Sequence, residues 1–132
     1  MRLVLNLTID GEPFPKQRPR LARKRGVIYT PQETVKAERA IATQLKSVLR
    51  GSEPDAVNTF GVELEFYCRS AATDLDNLTK LVLDSCNKVV WRDDRQVEKI
   101  VARLTRRATQ PRTILRIFAL PPIQGKLSSC QE

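Results

Sequence analysis

A chain of 132 residues is long enough for one hydrophobic core and short enough that a partner subunit would add to its stability. Its formal charge of +8, with 23 lysines and arginines against 15 acids, points toward a polyanionic partner. The chain has no histidine, which excludes a histidine base, histidine metal ligands and every Ser-His-Asp arrangement, and leaves carboxylates with hard cations as the open chemistry.

No apolar run approaches the ~20 residues needed to cross a bilayer. The opening Met1-Arg2-Leu3-Val4-Leu5-Asn6-Leu7 is interrupted by polar residues and lacks a small-residue cleavage site, so no signal peptide is expected. Cys68, Cys86 and Cys130 are odd in number and widely spaced, which fits a reducing cytoplasm better than a disulfide framework or a zinc knuckle.

The alternation from Arg2 to Ile9 predicts a strand that ends at an Asp10-Gly11 turn. A long proline-rich basic segment follows. Pro13, Pro15 and Pro19 forbid helix there, and Arg25-Gly26 is placed to turn a short hairpin into Val27-Ile28-Tyr29. Lys16, Arg18, Arg20, Arg23, Lys24 and Arg25 put six cations into ten residues, a surface suited to phosphate contacts that position a nucleic acid without reading its sequence. Arg103, Arg106 and Arg107 are candidates to extend it.

A first helix is expected from Thr30 as N-cap, with Pro31 in the first helical position and Glu33 completing a capping box. Its apolar stripe is Val35, Ala37, Ala40, Ile41, Leu45 and Val48, and it stops near Gly51. Thr59 to Cys68 alternates, with Val62, Leu64 and Phe66 on one face and Glu63 and Glu65 on the other, the pattern of a strand with one wet side. A second helix is expected over about Asn77–Val89, burying Leu78, Leu81, Val82, Ser85 and Val89, with Asn77, Lys80, Asp84 and Asn87 on a polar face. Leu83, Cys86 and Val90 lie off that stripe and suit either an interface or a thicker core. After a Trp91–Asp94 turn, Gln96–Thr105 and Arg112–Leu120 read as strands, joined as a hairpin through Arg106–Pro111. The order β-α-β-α-β-β predicts a small α/β or α+β domain over residues 1–120, a mixed sheet with two helices, followed by a flexible tail at 121–132.

Asp74 and Asp76 stand two apart at the mouth of the second helix. If the backbone is extended there, both carboxylates face one point, an arrangement that needs a cation to relieve its repulsion. Asp93-Asp94 supplies a third carboxylate only if the chain runs back along a helix ~20 Å long. Taken singly, each aspartate also suits a plain N-cap or a solvated turn, and Lys80 with Asp84 suits a plain i,i+4 pair.

The run Asp74-Leu75-Asp76-Asn77-Leu78-Thr79-Lys80, then Asp84, then Val90-Trp91-Arg92-Asp93-Asp94-Arg95-Gln96-Val97, closely resembles the central signature of the RusA family of Holliday junction resolvases. Gly11-Glu12-Pro13-Phe14-Pro15-Lys16-Gln17-Arg18-Pro19-Arg20, with Tyr29-Thr30-Pro31, resembles that family's opening. The resemblance covers about residues 5–120. It implies a homodimeric crossover junction endodeoxyribonuclease, acting in recombination and repair, that nicks two opposed strands of a four-way junction. It also implies that Asp74, Asp76 and Asp94 bind magnesium, with manganese as a substitute, and that Lys80 assists beside them; Asp84 and Asp93 match motif positions without an assigned ligand role. Some members carry a basic residue just before the first aspartate, where this chain has Thr73; either Arg69 takes its place or that contact is absent. The alternatives are a general nuclease for flaps and branched DNA, and a basic nucleic-acid-binding module whose aspartates are only caps and turns.

Overall fold

The structure is a computed structural model that describes residues 1–17, the backbone of 20–22 and 27–29, and 31–121. Among these, β1 (Arg2–Asp10), β2 (Arg20–Ala22), β3 (Val27–Tyr29), α1 (Gln32–Leu49), β4 (Thr59–Tyr67), α2 (Leu75–Cys86), a 3-10 turn (Asp94–Gln96), β5 (Val97–Thr105) and β6 (Arg112–Leu120) follow one another. The expected flexible tail lies, but for Pro121, outside the described residues. No helix among the described residues is long and apolar enough to cross a membrane.

A mixed four-stranded sheet in the order β1-β6-β4-β5 carries the fold, and the predicted β2-β3 hairpin stands apart as a two-stranded ribbon. The α/β expectation of two helices on a mixed sheet holds. The predicted hairpin of the last two strands does not form: β5 pairs parallel to β4, while β6 runs antiparallel between β4 and β1. The reason is burial. Phe60, Val62, Leu64 and Phe66 of β4 and Leu115 and Ile117 of β6 are almost fully buried, so these strands take the middle. β5 exposes Ile100 and Val101 and takes the edge.

Both helices pack against that apolar face, contributing Ile41 and Leu45 from α1 and Leu78, Leu81, Val82 and Cys86 from α2. The opposite face of β4 is the expected wet one: Arg116 pairs with Glu65 at 2.7 Å, and Arg112 lies 3.9 Å over the Tyr67 ring.

Each helix departs from its expected limits. In α1, Pro31 is the N-cap and not the first helical residue, and no side chain caps it. The expected cap, Thr30, lies outside the described residues. Val35, Ala40 and Val48 are exposed, whereas Thr34 is buried, because its hydroxyl bonds Gln17 of the incoming segment. The helix stops at Leu49 because Arg50 and Gly51 both adopt positive φ.

Helix α2 begins two residues earlier than expected, since the Asp74 side chain accepts the Asp76 N–H at 2.9 Å and caps it. It also ends earlier, at Cys86. Lys88 sits at φ 65° and turns the chain, and its N–H donates to the Trp91 carbonyl at 2.7 Å. The backbone beyond it pairs with Asp55, which donates to Val90 and accepts from Arg92. That pairing satisfies the groups a longer helix would have used. Cys86 and Val90 therefore belong to the core, while Val89 is half-buried outside the helix.

A candidate active-site groove between α2 and the sheet edge

Because β5 is an edge strand, the side of α2 facing it is left open along a groove of about 480 Å³. Its floor is Val97, Ile100 and Ala102 of β5, with Leu75, Thr79 and Leu83 on the α2 side. Asp76, Lys80 and Asp84 follow one another along α2 at four-residue steps, and Asp94 reaches the groove from the 3-10 turn. Of the expected polar set only Lys80 and Asp84 line it: Asn77 is exposed and lends its carbonyl to the Lys16 N–H at 2.9 Å, and Asn87 is the C-cap of α2, outside the groove.

Each acid is held by a distinct device. Asp74 is not in extended backbone that continues through Asp76; it is the cap, and Asp76 is the second helical residue. The two carboxylates share an end of the helix because of that capping bond, not because of strand alternation. Asp76 also gains from the positive end of the helix dipole. Asp94 accepts from the indole N–H of Trp91 at 2.9 Å through Oδ1, and Trp91 is itself fully buried, tilted on Phe60 with ring centroids 5.4 Å apart. Its neighbour Asp93 is a cap: it accepts from the Arg95 N–H, and Gln96 closes a capping box by accepting from the Arg92 and Asp93 N–H groups. The Arg95 backbone and side chain hold the Asp93 carboxyl below the usual range. The Gln96 amide then donates to the carbonyls of Asp55 and Asn58, at 2.8 and 2.9 Å, tying the turn to the loop before β4.

The loop before Asp74 is fastened from two sides. The Glu12 carboxylate accepts from the backbone N–H groups of Arg69 and Ser70. Arg106 donates to the carbonyls of Ala71 and Thr73, at 2.9 and 2.7 Å. A basic group thus reaches the residue before the first aspartate from the end of β5, a placement that no local sequence signal gives. Sequence reasoning misses the positioning role of Gln96 and reads it only as the start of a strand; its spacing of three from Asp93 is the signal that could have found it.

Of the six cations of the basic segment, only the Lys16 side chain is among the described residues. Its ammonium contacts both Asp84 and Glu38 at 2.8 Å. Arg18, Arg23, Lys24 and Arg25 lie outside the described residues, and Arg20 is described by its backbone in β2.

A comparison with protein-family models matches residues 10–118 to endodeoxyribonuclease RusA. The chain belongs to the endodeoxyribonuclease RusA family. That match spans the groove, all its acids and the basic segment. A comparison with curated proteins gave no match.

The donor set of this family member suits a hard cation, since every candidate ligand is a carboxylate oxygen. Among the described residues, no three acidic or cysteine side chains are gathered closely enough to hold a metal ion. Magnesium asks for only one or two carboxylates, completed by waters and substrate phosphate. Asp76 and Asp94 line the groove, whereas Asp74 is not among its lining residues and uses one carboxylate oxygen to cap α2.

Proposed function

We propose that this protein is a magnesium-dependent endonuclease that resolves four-way DNA junctions by paired symmetric nicks, acting as a homodimer in cytoplasmic recombination and repair. The observation that carries this reading is the groove in which Asp76, Lys80, Asp84 and Asp94 line one wall-to-floor path, in a chain of the endodeoxyribonuclease RusA family. Asp76 and Asp94, which line the groove, would hold the metal, magnesium or its substitute manganese, with Asp74 beside them at the helix cap as the third carboxylate that the family resemblance implies. When bound, that metal supplies Lewis-acid activation of the phosphodiester and of an attacking water.

The chain's own residues do the rest. Lys80, one turn beyond Asp76 on the groove face, offsets phosphate charge and stabilises the departing oxygen. Trp91 holds Asp94 by one oxygen, and among the described residues the other has no hydrogen-bond partner. With no histidine in the chain, the proton released by the attacking water passes to a carboxylate or to solvent. The basic segment, through Arg18, Arg20, Arg23, Lys24 and Arg25, contacts phosphates and positions the DNA without reading its sequence, while Lys16 at its root is paired with Asp84 and Glu38.

The test is cleavage of matched four-way, flapped and linear DNA with and without magnesium, by the wild type and by Asp76→Asn. Magnesium-dependent nicking of the junction is expected, lost by at least 100-fold in D76N while junction binding stays or tightens, since a carboxylate near phosphate has been neutralised. Faster cutting of the flap would make the protein a general branch nuclease. Unchanged behaviour of D76N in every assay would reduce the aspartates to caps and turns on a basic binding module.

A further inference from the structure

Lys16 belongs by sequence to the basic segment, yet its ammonium points inward. It bridges Asp84 of α2 and Glu38 of α1, both at 2.8 Å, and all three side chains are at most about a quarter exposed (19%, 26% and 22%). The backbone is pinned at the same place, with the Lys16 N–H on the Asn77 carbonyl at 2.9 Å and the Gln17 N–H on the Thr34 hydroxyl at 3.3 Å. Burial pulls the Lys16 pKa down, but the hydrogen bonds to Asp84 and Glu38 outweigh it, and the net shift is upward. Asp84 lines the groove, whereas Lys16 does not: the lysine stands behind the carboxylate, on its α1 side.

We propose that Lys16 is a positioning residue, an internal counter-ion that takes Asp84 out of the metal-binding set and covers its charge from incoming DNA. Three carboxylates line the groove with one lysine, Lys80, among them. An unpaired Asp84 would add a further negative charge where a phosphate must lie, and a rival donor for the cation. Paired with Lys16, it instead fastens the root of the basic segment to the wall of the groove. The role of Asp84 in this scheme rests on the proposed function of the groove.

Two measurements separate the ideas. The first is binding of a fluorescent four-way junction in EDTA, which needs neither metal nor cleavage. Lys16→Met should weaken binding roughly three- to tenfold more than Lys36→Met, which removes the same charge from an exposed helix position. Adding Asp84→Asn to K16M should restore binding to within about twofold of the wild type, and adding Glu63→Gln, an equal charge change on the opposite face of the sheet beside Arg116, should not. A K16M/D84N protein as weak as K16M would overturn the proposal, since Lys16 would then be acting on phosphate directly.

The second is titration with manganese alone, followed by electron paramagnetic resonance. Asp84→Asn should bind the ion as the wild type does, while Asp76→Asn loses it. Loss in D84N equal to that in D76N would make Asp84 a ligand and sink the idea. If the wild type binds no manganese, the proposed function falls and the EDTA arm still decides about Lys16. Circular dichroism checks folding throughout; should K16M fail to fold, the D84N titration decides.

Discussion

Replacing Trp91 by Phe tests how far the placement of Asp94 depends on a single buried donor. The indole is fully buried against Phe60, and its N–H reaches Asp94 Oδ1 at 2.9 Å. Phenylalanine keeps a ring in the slot and deletes the donor. A hydrogen bond to an ionised acceptor contributes roughly 1.5–3 kcal/mol, and Asp94 is exposed, so the lower end applies. The smaller ring leaves a void that costs roughly 1 kcal/mol more. The sum, about 2–3 kcal/mol, lowers the melting temperature of a domain of this size by about 8–12 °C.

The effect on catalysis is bounded separately. If Asp94 merely spreads over three staggered χ1 wells, cleavage falls about threefold. If it settles ~1 Å away from its productive position, the loss approaches 100-fold. Single-turnover cleavage of a four-way junction, run well below the melting temperature, reads this directly. In the Asp94→Asn background the same substitution should cost little further activity, because the group being positioned has lost its charge. W91F cutting at the wild-type rate while D94N is inactive would refute the reasoning, as would an undiminished W91F effect on top of D94N.

Gln96→Ala removes an amide that accepts from Arg92 and Asp93 and donates to Asp55 and Asn58; a stability loss of about 1–3 kcal/mol is expected in urea unfolding, with slower cleavage, while loss of activity at unchanged stability would argue for a different role. Asp55 has its pKa held below the ordinary value, first by the Asn58 N–H and also by the Val57 N–H. Its contribution is therefore present above the unfolded-state pKa and lost as pH falls through the depressed folded value, so Asp55→Asn should flatten the decline of stability below about pH 4. An equally steep acid decline in D55N would place that linkage on other carboxylates. The double change Arg18→Ala with Arg20→Ala should weaken junction binding and reduce its salt slope by ~1–2 units, and an unchanged slope would move the DNA-gripping surface elsewhere.

Much of the fold was readable because burial imprints local period. The strands β1, β4 and β6 and the buried stripe of α2 follow from alternation or helical spacing that survives in the structure. The stripe of α1 was misread at Val35, Ala40 and Val48, since an apolar residue on a helix does not reveal whether anything covers it, and Thr34 is buried by a segment arriving from Gln17. The pairing of β5 with β4 was equally invisible, since a strand's alternation is the same whichever neighbour it joins.

The sequence by itself determined which chemistry was available: carboxylates without histidine, spaced for the end of a helix, beside a run of cations. Capping is a local interaction, so Asp74 and Asp76 were readable together, although the bond that joins them is a helix cap and not a shared strand face. Only the tertiary structure decided where Asp94, Lys16 and Arg106 go. Asp94 is aimed by a buried indole, Lys16 turns inward to Asp84 and Glu38, and Arg106 reaches back to the carbonyl of Thr73. These contacts join residues whose proximity depends on how β5 docks beside β4 and on how the chain turns at Lys88. Those choices rest on burial summed over the whole sheet, and no short window of sequence contains that sum.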